Sequence, residues 1–298
     1  MKKILRIALL FFIHILLTFW PVRAQTHSLR QEGGDTVGIA IRAMTFNIRF
    51  DNPADGPNSW SGRKEAVLQM INDNEIHLLG IQEGLSHQVK DIQKGLRPFN
   101  YYGVGRDDGD KAGEYSALFF DTSVLKIMEG KTFWLKPDSL IPGSGWDAAC
   151  NRTLTLVRFE ILQTGQHLVV MNTHFDHVGQ TARTESAHMI EGWVQQFLAN
   201  SPVILMGDFN CHSTSLPMNI LTETGSLSLV NPQNTILPET DTCTFTGFDL
   251  SQCSRIDHIL ISAGLESSGI NILPNRMGNI ILSDHRPVMA VIRQTAVK

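Results

Sequence analysis

"SPVILMGDFNCH", residues 201–212, is the stretch on which the reading of this chain turns. The apolar run Val203–Met206 has the length of a buried strand, and it gives way to Gly207, Asp208, Phe209 and Asn210. Taken alone, Gly, Asp and Asn after such a run spell a turn: glycine supplies positive φ, and Asp and Asn side chains bond their own backbone. The rest of the chain repeats the arrangement. Strand-length runs rich in β-branched and aromatic residues occur at 41–48 ("IRAMTFNI"), 76–82 ("IHLLGIQ"), 115–120 ("YSALFF"), 153–161 ("TLTLVRFEI"), 167–175 ("HLVVMNTHF"), 255–262 ("RIDHILIS") and 286–292 ("RPVMAVI"). Most carry a polar residue at one edge: Asn47, Glu83, His174, Asp208 with Asn210, Asp257, and Asp284 with His285. These residues are expected at the C-terminal ends of strands, where α/β sheets place ligands and where loops on a rigid scaffold carry chemistry.

Between the strands lie helical patterns. "SGRKEAVLQMINDN" (61–74) has apolar residues at helical spacing, with Ser61 as its expected N-cap, and 181–200 is a second long amphipathic candidate. Residues 153–175 read as a hairpin around Gly165. Hairpins mixed with crossover helices predict an α/β fold with mixed sheets and helices outside. No repeat or low-complexity linker interrupts 41–298, which is read as one domain.

The first residues differ from the rest. Lys2, Lys3 and Arg6 precede an apolar run to Trp20, and Val22 and Ala24 close it. That order predicts a signal peptide over 1–24, then a polar lead-in over 25–40. The expectation is an exported protein, periplasmic or secreted, with no transmembrane segment after cleavage; its oligomeric state is not readable. The net charge of −4 supplies no global basic field for long nucleic acids. The four cysteines show no CxxC spacing, which argues against zinc; export permits a disulfide, Cys243 and Cys253 being nearest in sequence, with the pairing left open.

The edge residues together name a chemistry. Carboxylates and amide oxygens suit a hard cation, Mg²⁺ or Mn²⁺. Histidines supply an acid, a base or a donor to developing charge, and a buried Asp beside a His orients it. No GxSxG elbow is present, so metal-assisted attack of water on phosphorus fits better than a covalent route.

"QE", "NTH", "GDFN", "RIDHIL" and "SDHRPV", in this order, resemble the endonuclease/exonuclease/phosphatase superfamily over residues 43–293. That group includes deoxyribonuclease I, neutral sphingomyelinases, inositol polyphosphate 5-phosphatases and deadenylases, and "NTH" with "SWSGRKEAVLQMI" resembles the deadenylase and nocturnin-like side. The resemblance implies a four-layer sandwich of two facing mixed sheets flanked by helices. It implies metal binding by Glu83 with Asn47 and Asp284 close by, and orientation of water and phosphate by Asp208 and Asn210. His285 would be the acid/base or phosphate-contacting residue against Asp257, and His174 would stabilise phosphoryl charge. Arg152, in "CNRTL", is a candidate phosphate fork. Arg106 is a minor candidate; His177 and Arg183 read mainly as structural residues, with a place at the rim or behind the site as the alternative, and His212 reads as a loop residue. The substrate is expected to be a phosphate ester, first a nucleic acid or nucleotide diester, with lipid or sugar phosphates as the alternative and a silent binding domain behind both.

Overall fold

The computed structural model describes residues 40–198, 200–222, 229–236 and 243–295. The leader expected over 1–24, and all but the last residue of the lead-in, lie outside them. No helix among the described residues is long and apolar enough to cross a membrane.

Two strand–helix–strand units set the frame. In the first, β1 (Ile41–Asn47) leads through a short 3₁₀ turn (Pro53–Asn58) and α1 (Trp60–Asp73) to β2 (Leu78–Gln82), which pairs parallel to β1. In the second, β7 (His167–His174) leads through α3 (Gln180–Leu198) to its parallel neighbour β8 (Val203–Asp208). Between them come α2 (Ser86–Gly95), β3 (Phe99–Tyr102), β4 (Leu118–Asp121), β5 (Leu125–Trp134) and β6 (Thr153–Ile161). After β8 follow the short helices α4 (Leu216–Thr222) and α5 (Gln233–Ile236), then β9 (Asp257–Ile261), β10 (Leu265–Ile272), the small β11 (Arg276–Met277) and β12 (Ile280–Ile281), and β13 (Val288–Gln294). One sheet has the order β10-β13-β1-β2-β4-β3 and the other β5-β6-β7-β8-β9.

Strand alternation explains the layers. Ala43, Leu78, Val170, Ile204, Met206, Ile259 and Val288, drawn from both sheets, share the core between them. The opposite faces point outward: Met44, Phe46 and Leu79 pack on α1 and α2, and Val169, Met171 and Leu205 pack on α3 and α4. The result is helix, sheet, sheet, helix, the expected four-layer α/β sandwich. Apolar side chains on both faces make each central strand a near-continuous hydrophobic run. The seam holds one polar cluster: Gln82 Nε2 donates to Thr45 Oγ1 and Asn172 Oδ1, and Asn172 Nδ2 donates to Ile81 O and Ala117 O.

Two expectations need correction. Asp257 opens β9, and Asp284 and His285 precede β13, so none of the three ends a strand. They reach the same edge because β9 runs antiparallel to β8 and β13 antiparallel to β1. Ser61 lies inside α1; Ser59 holds the N-cap position without a capping bond. The hairpin around Gly165 (φ 71°) is present as β6 and β7. Cys243 and Cys253 form a disulfide, and Cys150 and Cys211 are free.

Arg63 of α1 is the largest fully buried side chain. Its Nε donates to Asn58 O (2.8 Å), Nη1 to Ile48 O and Leu282 O, and Nη2 to Arg49 O (2.7 Å). One guanidinium thus ties a helix to the loops after β1 and before β13. Arg63→Ala is expected to cost about 3–5 kcal/mol, because it leaves a cavity and several buried carbonyls without a donor. Urea unfolding measures it; a loss below about 1 kcal/mol would contradict the bracing role.

Candidate active site

The two parallel units direct their strand ends to one edge, and β9 and β13 begin there. Asn47 pairs across with Gln82, His174 with Asp208, and Asp208 with Asp257. Just past the strands the backbone turns sharply: Arg49 (φ 57°), Glu83 (φ 63°) and Asn210 (φ 50°) all adopt the left-handed conformation. Such residues are uncommon outside glycine and concentrate at functional sites. The glycine before Asp208 has a steric reason: a Cβ on Gly207 (φ 153°) would lie 2.1 Å from Thr173 O. The "GDFN" stretch is therefore a strand end that re-aims the chain into a site.

Asn47 is fully buried at the centre. Its Nδ2 donates to Glu83 Oε1 and to Asp208 Oδ2, both at 3.0 Å, and its Oδ1 accepts the N–H of Arg49. Asn47 thus links the two carboxylates through its amide nitrogen, while its oxygen accepts one backbone N–H and keeps a second lone pair. Glu83 Oε2 accepts Phe50 N–H, and Ser283 Oγ donates to Asn47 O.

His285 lies against Asp257, Nδ1 to Oδ2 at 2.9 Å, with Nε2 3.7 Å from Asp208 Oδ2 and the Phe245 ring packed on the imidazole. Burial disfavours its charged form, but Asp257 and then Asp208 more than offset this, and the pKa is raised. His174 Nε2 is 3.5 Å from the same Asp208 oxygen. Its pKa is lowered well below the usual value by burial and by the charges of Arg152 and Arg106. Burial, followed by the field of Asp257, raises Asp208. The site therefore holds one charged and one neutral histidine on either side of a carboxylate inclined to take a proton.

The expected residues do converge. Glu83, His174, Asp208, Asn210, Asp284, His285, Arg106 and Arg152 all line one cleft of about 340 Å³, with Asn47 and Asp257 buried behind it. Asn210 Nδ2 donates to Phe175 O, so one of its amide protons is committed to the backbone. Arg152 is not a surface charge: it is buried, its Nε donating to Asp176 Oδ2 (3.2 Å) and its Nη2 meeting His177 Nδ1 (2.8 Å). Arg183 Nη1 braces Asp176 O from behind, and Arg106 forks onto Glu114 at 2.6 and 2.9 Å. His212 stays in an exposed loop. Two groups of side chains lie close enough together to suggest metal ligands: Cys150, Asp176 and His177, where Arg152 binds Asp176 Oδ2 and meets His177 Nδ1, and Asp208, Asp257 and His285, where His285 lies against Asp257.

Sequence reading missed Arg49, Glu114, Asp176 and Phe245. The signals were faint: Arg49 is two residues beyond Asn47, and Asp176 two beyond His174. Arg49 forks onto Asp55 and lies 3.9 Å from both Glu83 and Asp284. Also missed was buried His258, which accepts from Asn231 Nδ2 through Nδ1 and donates to Cys211 O through Nε2, holding the "GDFNC" loop from below.

The described geometry can be set beside known proteins. A family model described as Endonuclease/Exonuclease/phosphatase family matches residues 44–285. The chain belongs to this family. Its members are phosphoesterases, and the protein is an enzyme of that kind. A structure of an endonuclease/exonuclease/phosphatase from Bacteroides vulgatus is 34% identical, covering 86% of this chain and 100% of its own, with a TM-score of 0.81. The Bacteroides thetaiotaomicron mannosyl-6-phosphatase is 30% identical over 85% of this chain and 99% of its own, TM-score 0.80. The human Nocturnin catalytic domain with bound sulfate, at 19% identity, 86% and 94% coverage and TM-score 0.68, shares the fold. No curated protein matches at the sequence level.

Burial lowers the His258 pKa to about 4, so the folded state resists a proton that the unfolded chain takes up near ~6.5. Its contribution to stability is present above ~6.5 and is lost as pH falls toward 4. His258→Gln is expected to flatten the acid side of the stability profile; an unchanged acid limb by urea unfolding would refute this. His285→Ala and Asp208→Asn are each expected to lower kcat/KM by about 10²–10⁴ while the protein stays folded, checked by circular dichroism and turnover of an aryl phosphate.

Proposed function

We propose that the protein is a divalent-metal-dependent phosphomonoesterase whose substrate is a small phosphorylated molecule of the sugar-phosphate kind. The observation that carries this reading is the cleft itself. At about 340 Å³ it falls at the small end of ligand sites, ~300–1,000 Å³. Two of the three arginines that line it, Arg106 and Arg152, are held by Glu114 and Asp176. A cleft of this size suits one small phosphate ester, and the chain's −4 charge argues against an extended polyanion track. The likeness to a mannosyl-6-phosphatase supports the sugar-phosphate reading. The nucleic-acid diester ranked first on sequence alone is therefore placed second.

The donor set fits a hard cation. Glu83 and Asp284 face the cleft with oxygens only, and Asp284 is raised by burial and by the charge of Glu83 despite His285 and Arg49. These two carboxylates would hold the ion. The chemistry such an ion would supply when bound is Lewis-acid polarisation of a phosphoryl oxygen. The remaining work falls to the chain. Asp208 takes the proton of the attacking water as the ester P–O bond breaks, the departing alcohol oxygen taking a proton from solvent, and Asn47 holds Asp208 and Glu83 at a set spacing. His285, kept charged by Asp257, donates to developing phosphoryl charge. Neutral His174 donates beside it, and the Arg152–Asp176–His177 wall positions the phosphate. We place the enzyme outside the cytoplasm, a reading supported by the basic, apolar and small-residue order of residues 1–24 and by the Cys243–Cys253 disulfide.

Turnover of p-nitrophenyl phosphate, a hexose 6-phosphate, bis-p-nitrophenyl phosphate and a short oligonucleotide, each with Mg²⁺, Mn²⁺ or EDTA, tests the proposal. The expected result is monoester hydrolysis abolished by EDTA, with both diesters much slower. Preferential, steeply salt-dependent cleavage of the oligonucleotide would refute it and favour the nuclease reading.

A further inference from the structure

Arg49 stands where the sequence analysis expected only metal ligands. Its backbone is pinned on both sides: its N–H donates to Asn47 Oδ1, and its carbonyl accepts from Gln88 Nε2 (2.9 Å) and Arg63 Nη2 (2.7 Å). The side chain lies over the Phe50 ring, 4.5 Å from its centroid, and forks onto Asp55 at 3.1 and 3.2 Å. The same guanidinium lies 3.9 Å from Glu83 Oε2 and 3.9 Å from Asp284 Oδ2. The bond lengths differ in kind. Asp55 is hydrogen-bonded; Glu83 and Asp284 are close enough to feel the charge but too far for a normal hydrogen bond.

We infer that Arg49 is a built-in counter-cation for the Glu83–Asp284 pair, and that Asp55, by holding the guanidinium back from that pair, sets how tightly the pair takes a divalent ion. This rests on the reading of Glu83 and Asp284 as the metal carboxylates. Without a nearby positive charge, two half-buried carboxylates repel each other and the folded protein carries the strain. With Arg49 hydrogen-bonded directly to them, the guanidinium would stand where an ion has to approach. The Asp55 fork resolves the conflict: the charge is supplied from 3.9 Å while the guanidinium stays bonded elsewhere.

Two substitutions then act in opposite directions on one quantity, a pattern that general loosening of the site would not produce. Arg49→Gln removes a positive charge that a divalent ion must approach. Mn²⁺ affinity is expected to tighten by about fivefold, the order of a charge repulsion across several ångströms under strong solvent screening. The metal-free unfolding midpoint should fall, and its rise on adding Mn²⁺ should grow. Asp55→Asn releases the fork and lets the guanidinium close on Glu83 and Asp284, so Mn²⁺ affinity should weaken.

Isothermal titration with Mn²⁺, together with thermal unfolding with and without the ion, reads both on wild type, Arg49→Gln, Asp55→Asn and Glu83→Gln. Tightening in the first variant with weakening in the second supports the inference. If wild type binds Mn²⁺ and Glu83→Gln loses it, but Arg49→Gln is unchanged or weaker, the counter-cation role is overturned while the metal reading stands. If wild type takes up no Mn²⁺, or Glu83→Gln binds as wild type does, the metal reading fails and this inference with it.

Discussion

The two hydrogen bonds that Asn47 donates to acids join the two sheets at the site. The two sheets come from different stretches of the chain, and their strand ends carry acids that repel each other. Asn47, at the end of β1, gives one proton to Glu83 beside β2 and one to Asp208 of the facing sheet. Hydrogen bonds to charged groups contribute about 1.5–3 kcal/mol each, so this amide offsets a good part of the cost of holding two carboxylates close together. It also sets their spacing. Ser283 binds the Asn47 carbonyl, which carries the same registration on to Asp284 and His285.

The cleft carries both charges. Glu83, Asp284 and Asp208 line it, with Arg49 beside the first two, and Arg106 and Arg152 line it each bound to its own acid. Two histidines within reach of one Asp208 oxygen end up in opposite states. His285 has Asp257 behind it and is held charged; His174 faces arginines and is held neutral. Environment, not residue type, separates their roles.

The fold was largely legible in the sequence, for a plain reason. The central strands are buried on both faces, so they read as short continuous apolar runs, and β1, β2, β6, β7, β8, β9 and β13 were each visible. Less legible were β5 and β10. "LKIMEGKTFW" and "LESSGINI" lie at sheet edges and expose alternate polar residues, which dilutes the apolar signal. The short β3 left almost no pattern. Among site residues, those at strand edges in the "GDFN" and "SDHRPV" stretches could be named because their type and order carry chemistry.

Sequence by itself therefore determined which residues are unusual: apolar runs that end in acids, amides and histidines, and an arrangement that resembles one family. Tertiary structure alone decided how they act. Strand direction brought Asp257 and His285 to the site from the start of antiparallel strands, a fact with no local signature. Long-range pairing made Arg49 the neighbour of Asp284, more than two hundred residues away in the chain, and placed Arg152 on Asp176. The physical reason is that side-chain charge, protonation and contact are set by what lies within a few ångströms, and the chain order does not specify that neighbourhood until the two sheets close on each other.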